Sequence, residues 1–367
     1  MIYVHVPFCH RKCTYCAFYS KPVVSGLGDR SEAKPPEGQW PVAGYVDALL
    51  TEMEKRKREQ AHPIKTVYFG GGTPSILPIS QLQRMVDGLH CCFDLSQMDE
   101  MTLEANPEDL TSDYLTALRQ LGFNRLSIGV QSLDDRVLRM LNRRHTARQA
   151  IDAVENAHAA GFENISVDFI YGIIDGLELI GTKDLQEKVT HVSAYALTVE
   201  PGTALAVQVE QGRVVLPDEA EVVRQYHFIN QSLMDAGFVQ YEVSNYARPG
   251  YESKHNSRYW DRTPYLGLGP GAHSFDGVRR RWNNPDGTVG EEMLTEADAY
   301  NELLMTSLRT VRGLSLDKVP EGQKERLQRL MQPYIDCGWI VLNGNCYAPT
   351  AEGILHADGM ASALFVS

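Results

Sequence analysis

No apolar run in this chain is long enough to cross a bilayer. The longest, such as ISVDFIYGII at 165–174, stops well short of the roughly 20 residues that a helical span requires. The N-terminus also lacks a basic stretch followed by an apolar one, so no secretion signal is read there. Positive charge is scarce: 35 Lys and Arg stand against 47 Asp and Glu, for a net charge of -12. That balance argues against nucleic acid or anionic lipid as a general partner, and RRRW at 279–282 is only a local basic spot. Cysteine is sparse and odd in number, seven in 367 residues, which speaks against a disulfide framework and for reduced thiols. The expectation is a soluble, cytoplasmic protein that meets a membrane only through a partner. With 43% hydrophobic residues it can bury a substantial core.

What is present is concentrated near the start, in HVPFCHRKCTYCAFYS at 5–20. Cys9, Cys13 and Cys16 fall within eight positions, and the next cysteine is Cys91. Zinc could use the three thiolates with His5 or His10 as a fourth ligand. A thioredoxin-like pair at CTYC would leave Cys9 without a role, and a c-type haem site needs His where Ala17 stands. An iron–sulfur cube held at three irons leaves its fourth iron free for a small molecule. Cys91, Cys92, Cys337 and Cys346 read as ordinary core or surface positions.

Six β-type runs, IYVHVPF, KTVYFG, MTLEAN, RLSIGVQ, ISVDFIY and HVSAYALT, alternate with amphipathic stretches such as YVDALLTEMEKRK and ARQAIDAVENAHAAGF. The pattern predicts an α/β fold, an open (β/α)6 partial barrel two units short of eight. Chemistry in such barrels sits at the C-terminal strand ends. Here those ends carry the cysteines, then GGGTPS (70–75), Glu104 with Asn106, Gln131, Asp168, and Thr198 with Glu200. Taken singly, each polar residue could be a cap or a turn. Beyond about residue 295 two helical stretches and a hairpin, IVLNGNCYAP with Asn-Gly at its turn, suggest a smaller, mostly helical, winged-helix-like domain. The expected divisions are 1–245 for the barrel, 246–294 for a linking segment and 295–367 for the C-terminal domain.

The CxxxCxxC pattern resembles the signature of the radical S-adenosylmethionine superfamily. IYVHVPFC, GGGTPS, SIGVQS, HVSAY and HNSRYW together resemble its oxygen-independent coproporphyrinogen III oxidase-like group, from Met1 to about residue 315. The resemblance implies a 4Fe–4S cluster on Cys9, Cys13 and Cys16, with S-adenosylmethionine chelating the open iron and cleaved there to a 5′-deoxyadenosyl radical. It implies contacts to that cofactor from Tyr3, Tyr15, Gly71, Gly72, Thr73, Glu104, Gln131, Arg143 and Asp168, and backbone near the adenosine from GLGPGAHS (267–274). Tyr3 and Tyr15 could equally be packing residues.

Within the group two departures from the oxidases favour the haem-chaperone branch. Phe18 stands where the oxidases carry a fourth cysteine, and the chain begins two residues before the motif's Tyr3. HNSRYW (255–260) resembles a motif associated with haem in that branch, which makes His255 a candidate axial ligand. The other reading of that stretch is an ordinary helix with His255 and Tyr259 on one face. The expected activity is therefore haem binding and transfer to an acceptor protein, with oxidation of coproporphyrinogen as the alternative and a radical enzyme for another substrate as a third. One stretch departs from the group: after DFIYG the chain reads IIDGLELIGTKDLQ and reaches HVSAY early, so a shortened fifth crossover is expected near Asp168.

Overall fold

The computed structural model describes residues 1–22, 42–60, 62–174 and 183–366. Six parallel strands form the body of the fold: β1 (Ile2–Val6), β2 (Thr66–Gly71), β3 (Glu100–Ala105), β4 (Arg125–Gln131), β5 (Asn164–Tyr171) and β6 (His191–Ala196). Three more strands extend this sheet: β7 (Val239–Gln240), β8 (Asn245–Ala247) and β9 (Leu266–Leu268). The order is β9-β1-β2-β3-β4-β5-β6-β8-β7, with β9 parallel to β1 and β8 antiparallel to β6. The barrel is thus open, as expected. Part of the expected linking segment belongs to the main sheet.

Helices Val42–Arg56, Ile79–Cys92, Ser112–Gln120 and Ala147–Ala159 make the first four crossovers. The last shows how the sequence sets such an element. A reciprocal capping box of Thr146 and Gln149 starts it, Ala150, Ala153, Val154 and Ala157 are buried at helical spacing, and Gly161 follows its end at φ 87°. The fifth crossover contains helix Lys183–Lys188. Residues 175–182, where the shortening was expected, lie outside the described residues.

The strands alternate. One face carries Ile2, Val4, Val67, Phe69, Leu103, Leu126, Ile128 and Val167, which join the helices in the main hydrophobic core. The other face carries Tyr3 and His5, Thr66 and Tyr68, Thr102 and Glu104, Arg125 and Ser127, Ser166 and Asp168, and His191 and Ser193. Strand register sets many of these side by side: Tyr3 opposite Tyr68, Tyr68 opposite Thr102, Glu104 opposite Ser127, and Asp168 opposite Ser193. Parallel barrels usually fill their interior with branched apolar side chains. This one has a polar interior.

Residues 273–293 form a three-stranded antiparallel sheet. The C-terminal part has helices Glu296–Leu308, Glu321–Asp336 and Ala357–Leu364, a second three-stranded antiparallel sheet, and a core of its own around Leu304, Leu308, Leu327 and Met331.

Candidate functional site

A cavity of about 520 Å³ opens at the C-terminal ends of the strands. Eleven of the residues expected in the site line it: Cys9, Cys13, Cys16, Tyr15, Gly71, Gly72, Thr73, Glu104, Gln131, Arg143 and Asp168; Thr198 and Glu200 complete the sixth strand end. The cysteine loop is pinned from several sides. The Gly72 N–H donates to Val6 O at 2.8 Å, Thr14 N–H to Leu141 O at 3.2 Å, and Thr14 Oγ1 to Met140 O at 3.1 Å. The Thr73 hydroxyl donates to Cys9 Sγ at 3.4 Å and Arg143 Nη1 to Cys13 Sγ at 3.5 Å. Burial pushes the Cys9 and Cys16 thiols up in pKa, and the Thr73 hydroxyl opposes this at Cys9.

Among the described residues no group of three His, Cys, Asp or Glu side chains could hold a single metal ion. His5, weighed as a zinc ligand, is buried with both ring nitrogens occupied: Nε2 donates to Tyr19 O at 3.2 Å and Nδ1 accepts from the Tyr3 hydroxyl at 3.1 Å. Three thiols on one wall, with sulfur-directed donors beside two of them, fit a larger thiolate-bound cluster better than one closed tetrahedral ion.

The remaining wall is built from strand ends. Both oxygens of Glu104 are held: Tyr68 Oη donates to Oε1 at 2.8 Å and the Gly71 N–H to Oε2 at 3.0 Å. Burial, with Asp168 nearby, raises the Glu104 carboxyl to about 7, against the opposing bond from Tyr68. Asp168 accepts from the Ser127 hydroxyl at 3.1 Å, and burial raises its pKa too. Arg143 Nη2 donates to Asn106 Oδ1 and Gly129 O, both at 2.7 Å, while its Nε is buried without a partner among the described residues. The Arg143 guanidinium lines the cavity beside the thiols, where its positive charge suits the carboxylate of an amino-acid ligand. Gln131 ends β4 at φ 65°, after a shift of register at Ile128, so its side chain leaves the strand's regular alternation.

Three of the expected contacts lie off the cavity wall. Tyr3 is not among the cavity-lining residues; its ring stacks near Tyr68, with centroids 6.2 Å apart. The GLGPGAHS turn does not line the cavity either. Its Gly269 and Gly271 pack on His5, where added Cβ atoms would come within 2.7 Å of His5 O and 3.3 Å of His5 Nε2. His255, expected as an axial ligand, is 0% exposed. Its Nδ1 meets Thr66 Oγ1 at 3.0 Å and its Nε2 meets Tyr259 Oη at 3.1 Å, so neither ring nitrogen is open to iron.

Other wall residues went unnoticed in the sequence. Arg11, Lys12, Ser127 and Tyr195 also line the cavity, and Tyr68 stands directly behind it. Period-two spacing along the strands marks Tyr68, Ser127 and Tyr195 as facing the same side as the expected site. At the mouth, Phe18 is 69% and Tyr195 43% exposed, beside Ile170 and Leu197.

An open parallel barrel with three loop cysteines over polar strand ends is the architecture of the radical SAM superfamily, whose model matches residues 3–176; the model of the HemN C-terminal domain matches 294–356. A Mycobacterium tuberculosis protein named heme chaperone HemW is 35% identical over 99% of this chain and 94% of its own length. The Escherichia coli protein of that name is 32% identical over 88% of this chain and 78% of its own. The bovine mitochondrial radical S-adenosyl methionine domain-containing protein 1 is 34% identical, covering 86% and 74%. The chain belongs to the HemW family. Its fold matches that of coproporphyrinogen III oxidase (HemN) from Escherichia coli at a TM-score of 0.78, with 22% identity, over all of this chain and 89% of that one.

Proposed function

We propose that this protein is a haem chaperone: it binds haem, a 4Fe–4S cluster and S-adenosylmethionine, and passes haem to an acceptor protein. Cys9, Cys13 and Cys16 hold the cluster. Glu104 and Asp168 receive the ammonium or ribose hydroxyls of S-adenosylmethionine, Arg143 receives its carboxylate, and the Gly71–Thr73 turn accommodates its close approach. When bound, the cluster supplies the electron that breaks the sulfonium carbon–sulfur bond. The observation that carries this reading is the convergence of three thiols and five polar strand ends on one cavity. Its mouth supports the haem part. Phe18, Tyr195, Ile170 and Leu197 offer an apolar surface for a flat macrocycle, and the exposed Arg11 and Lys12 offer cations for two propionates.

The alternative, a coproporphyrinogen III oxidase, has the shared fold in its favour. It has against it Phe18 in the position of the fourth cysteine. One experiment separates the two. The protein is reconstituted with iron and sulfide without oxygen, then titrated with haem and assayed for coproporphyrinogen consumption on the same sample. The expected outcome is four irons per chain, a saturable Soret band and no consumption above background. Cys9→Ser, Cys13→Ser or Cys16→Ser loses the cluster, and Arg11→Glu with Lys12→Glu weakens haem binding. Zinc in the thiol site, or steady turnover, would defeat the proposal.

A further inference from the structure

Tyr3 and His255, the two expected site residues that the cavity wall does not include, meet at one side chain. Tyr68 is 7% exposed; its ring lies 6.2 Å from that of Tyr3 and 5.1 Å from that of His255, and its hydroxyl donates to Glu104 at 2.8 Å. We infer that Tyr68 is the positioning residue of the S-adenosylmethionine site, and that Tyr3 and the 254–260 helix act on that site by bracing its ring. This rests on the reading that S-adenosylmethionine occupies the cavity beside Glu104.

The bracing is traceable atom by atom. His255 is anchored by Thr66 Oγ1 and Tyr259 Oη through its ring. It is anchored again through its backbone: the His255 N–H donates to Glu100 Oε1 at 2.9 Å and the Lys254 N–H to Glu100 Oε2 at 3.0 Å. Thr66 and Tyr68 are two apart on β2, and Glu100 and Glu104 four apart on β3, so each pair faces one side of the sheet. The helix therefore grips both strands below the cavity. Tyr3 braces the same ring from β1, where register sets it opposite Tyr68 and where its own hydroxyl is held by His5. A glutamate has several rotamers, and fixing one needs both oxygens engaged. Tyr68 and the Gly71 amide engage them. The HNSRYW helix then influences the cofactor site without touching it, and His255 need not reach haem iron.

The test uses the full chain with its cluster reconstituted, titrated with S-adenosylmethionine while the paramagnetic resonance of the reduced cluster is followed. Haem affinity is read from the Soret band of the same preparations. Tyr68→Phe keeps the packing and removes one hydroxyl, so S-adenosylmethionine affinity falls about tenfold or more, with iron and sulfide content and haem affinity unchanged. His255→Ala weakens the same affinity. The double variant is little worse than the poorer single one, because both act through one carboxylate; independent structural damage would add. Wild-type affinity in Tyr68→Phe overturns the inference, as does a His255→Ala protein that loses haem but keeps S-adenosylmethionine. A wild-type spectrum blind to S-adenosylmethionine removes the underlying reading as well, which separates the two failures.

Discussion

The His255 imidazole is neutral in the folded chain: burial, with the Met1 ammonium, Arg125 and Arg258 nearby, drives its pKa down to about 3. An unfolded chain takes up that proton near pH 6.5. The folded-state value is depressed, so the associated stability is present above pH 6.5 and is lost as pH falls toward 3. Between pH 7 and pH 5 the loss is about 2 kcal/mol. Glu104 titrates over the same window in the opposite sense, so the contribution is read as a difference: in urea unfolding the wild type should lose about 2 kcal/mol more than His255→Gln between pH 7 and pH 5. The Glu104 carboxyl is raised to about 7 by burial first and by Asp168 after it. If its ionised form receives S-adenosylmethionine, apparent affinity should fall toward tenfold per pH unit below about 7. Calorimetric titration at pH 6 and pH 8 measures this, and Glu104→Gln should flatten the dependence while lowering affinity throughout.

At the scale of an element, the turn after β2 is what couples the cysteine loop to the sheet. Gly72 donates to Val6 O, and a Cβ at Gly72 would lie 2.5 Å from Phe8 O, 2.9 Å from Phe8 N and 2.9 Å from Val6 O. All three are backbone atoms, immediately before Cys9, and backbone cannot rotate away as a side chain can. Gly72→Ala should therefore displace the loop and cut iron incorporation during reconstitution by more than half, with the far-ultraviolet circular dichroism retained; full incorporation would show the loop to be more tolerant than its packing implies. The strands themselves were legible because their alternation is so regular. A parallel strand buried on both faces reads as an unbroken apolar run, whereas TVYFGG, MTLEA and RLSIGV place a polar or small residue at nearly every second position. That spacing announces a polar barrel interior. The motifs cluster at the strand ends and do not include Tyr68, which lies two residues below Gly70 on the same face.

Among the described residues there are two large hydrophobic cores and a small third cluster around Val137, Leu141, Ile170 and Ile173; the two large ones are joined by polar contacts around the 254–260 helix. The Val243 N–H donates to Arg309 O at 2.9 Å, Arg312 Nη2 pairs with Asp261 at 3.1 Å, Arg262 Nη2 pairs with Glu302 at 3.1 Å, and the Arg309 guanidinium lies 5.5 Å from the Trp260 ring centre. Ile354, from the C-terminal part, is buried in the barrel's core. Exposed ion pairs contribute little individually, so the C-terminal core should carry most of its own stability. Leu304 is fully buried there, and Leu304→Ala should cost about 2–5 kcal/mol. Denaturant unfolding checks this, and the reduced cluster's response to S-adenosylmethionine should persist in the variant at low temperature. Loss of that response would mean that the C-terminal core is needed to hold the 254–260 helix against Tyr68.

The sequence by itself determined what depends on neighbours along the chain: three thiols at fixed spacing, the strand and helix periods, the glycine turns and the capping box at Thr146. Each of these is local, and backbone geometry alone converts it into a loop, a face or an element boundary. Which expected residues share the cavity was decided only by the tertiary structure. Tyr3, Tyr68, Glu104 and His255 come from widely separated parts of the chain, and no spacing along it states which strands are neighbours or how they are shifted against one another. Register sets Tyr3 opposite Tyr68, and the packing of the 254–260 helix brings His255 to the same ring. Burial there takes up both nitrogens of an imidazole that the motif alone would have left free for iron.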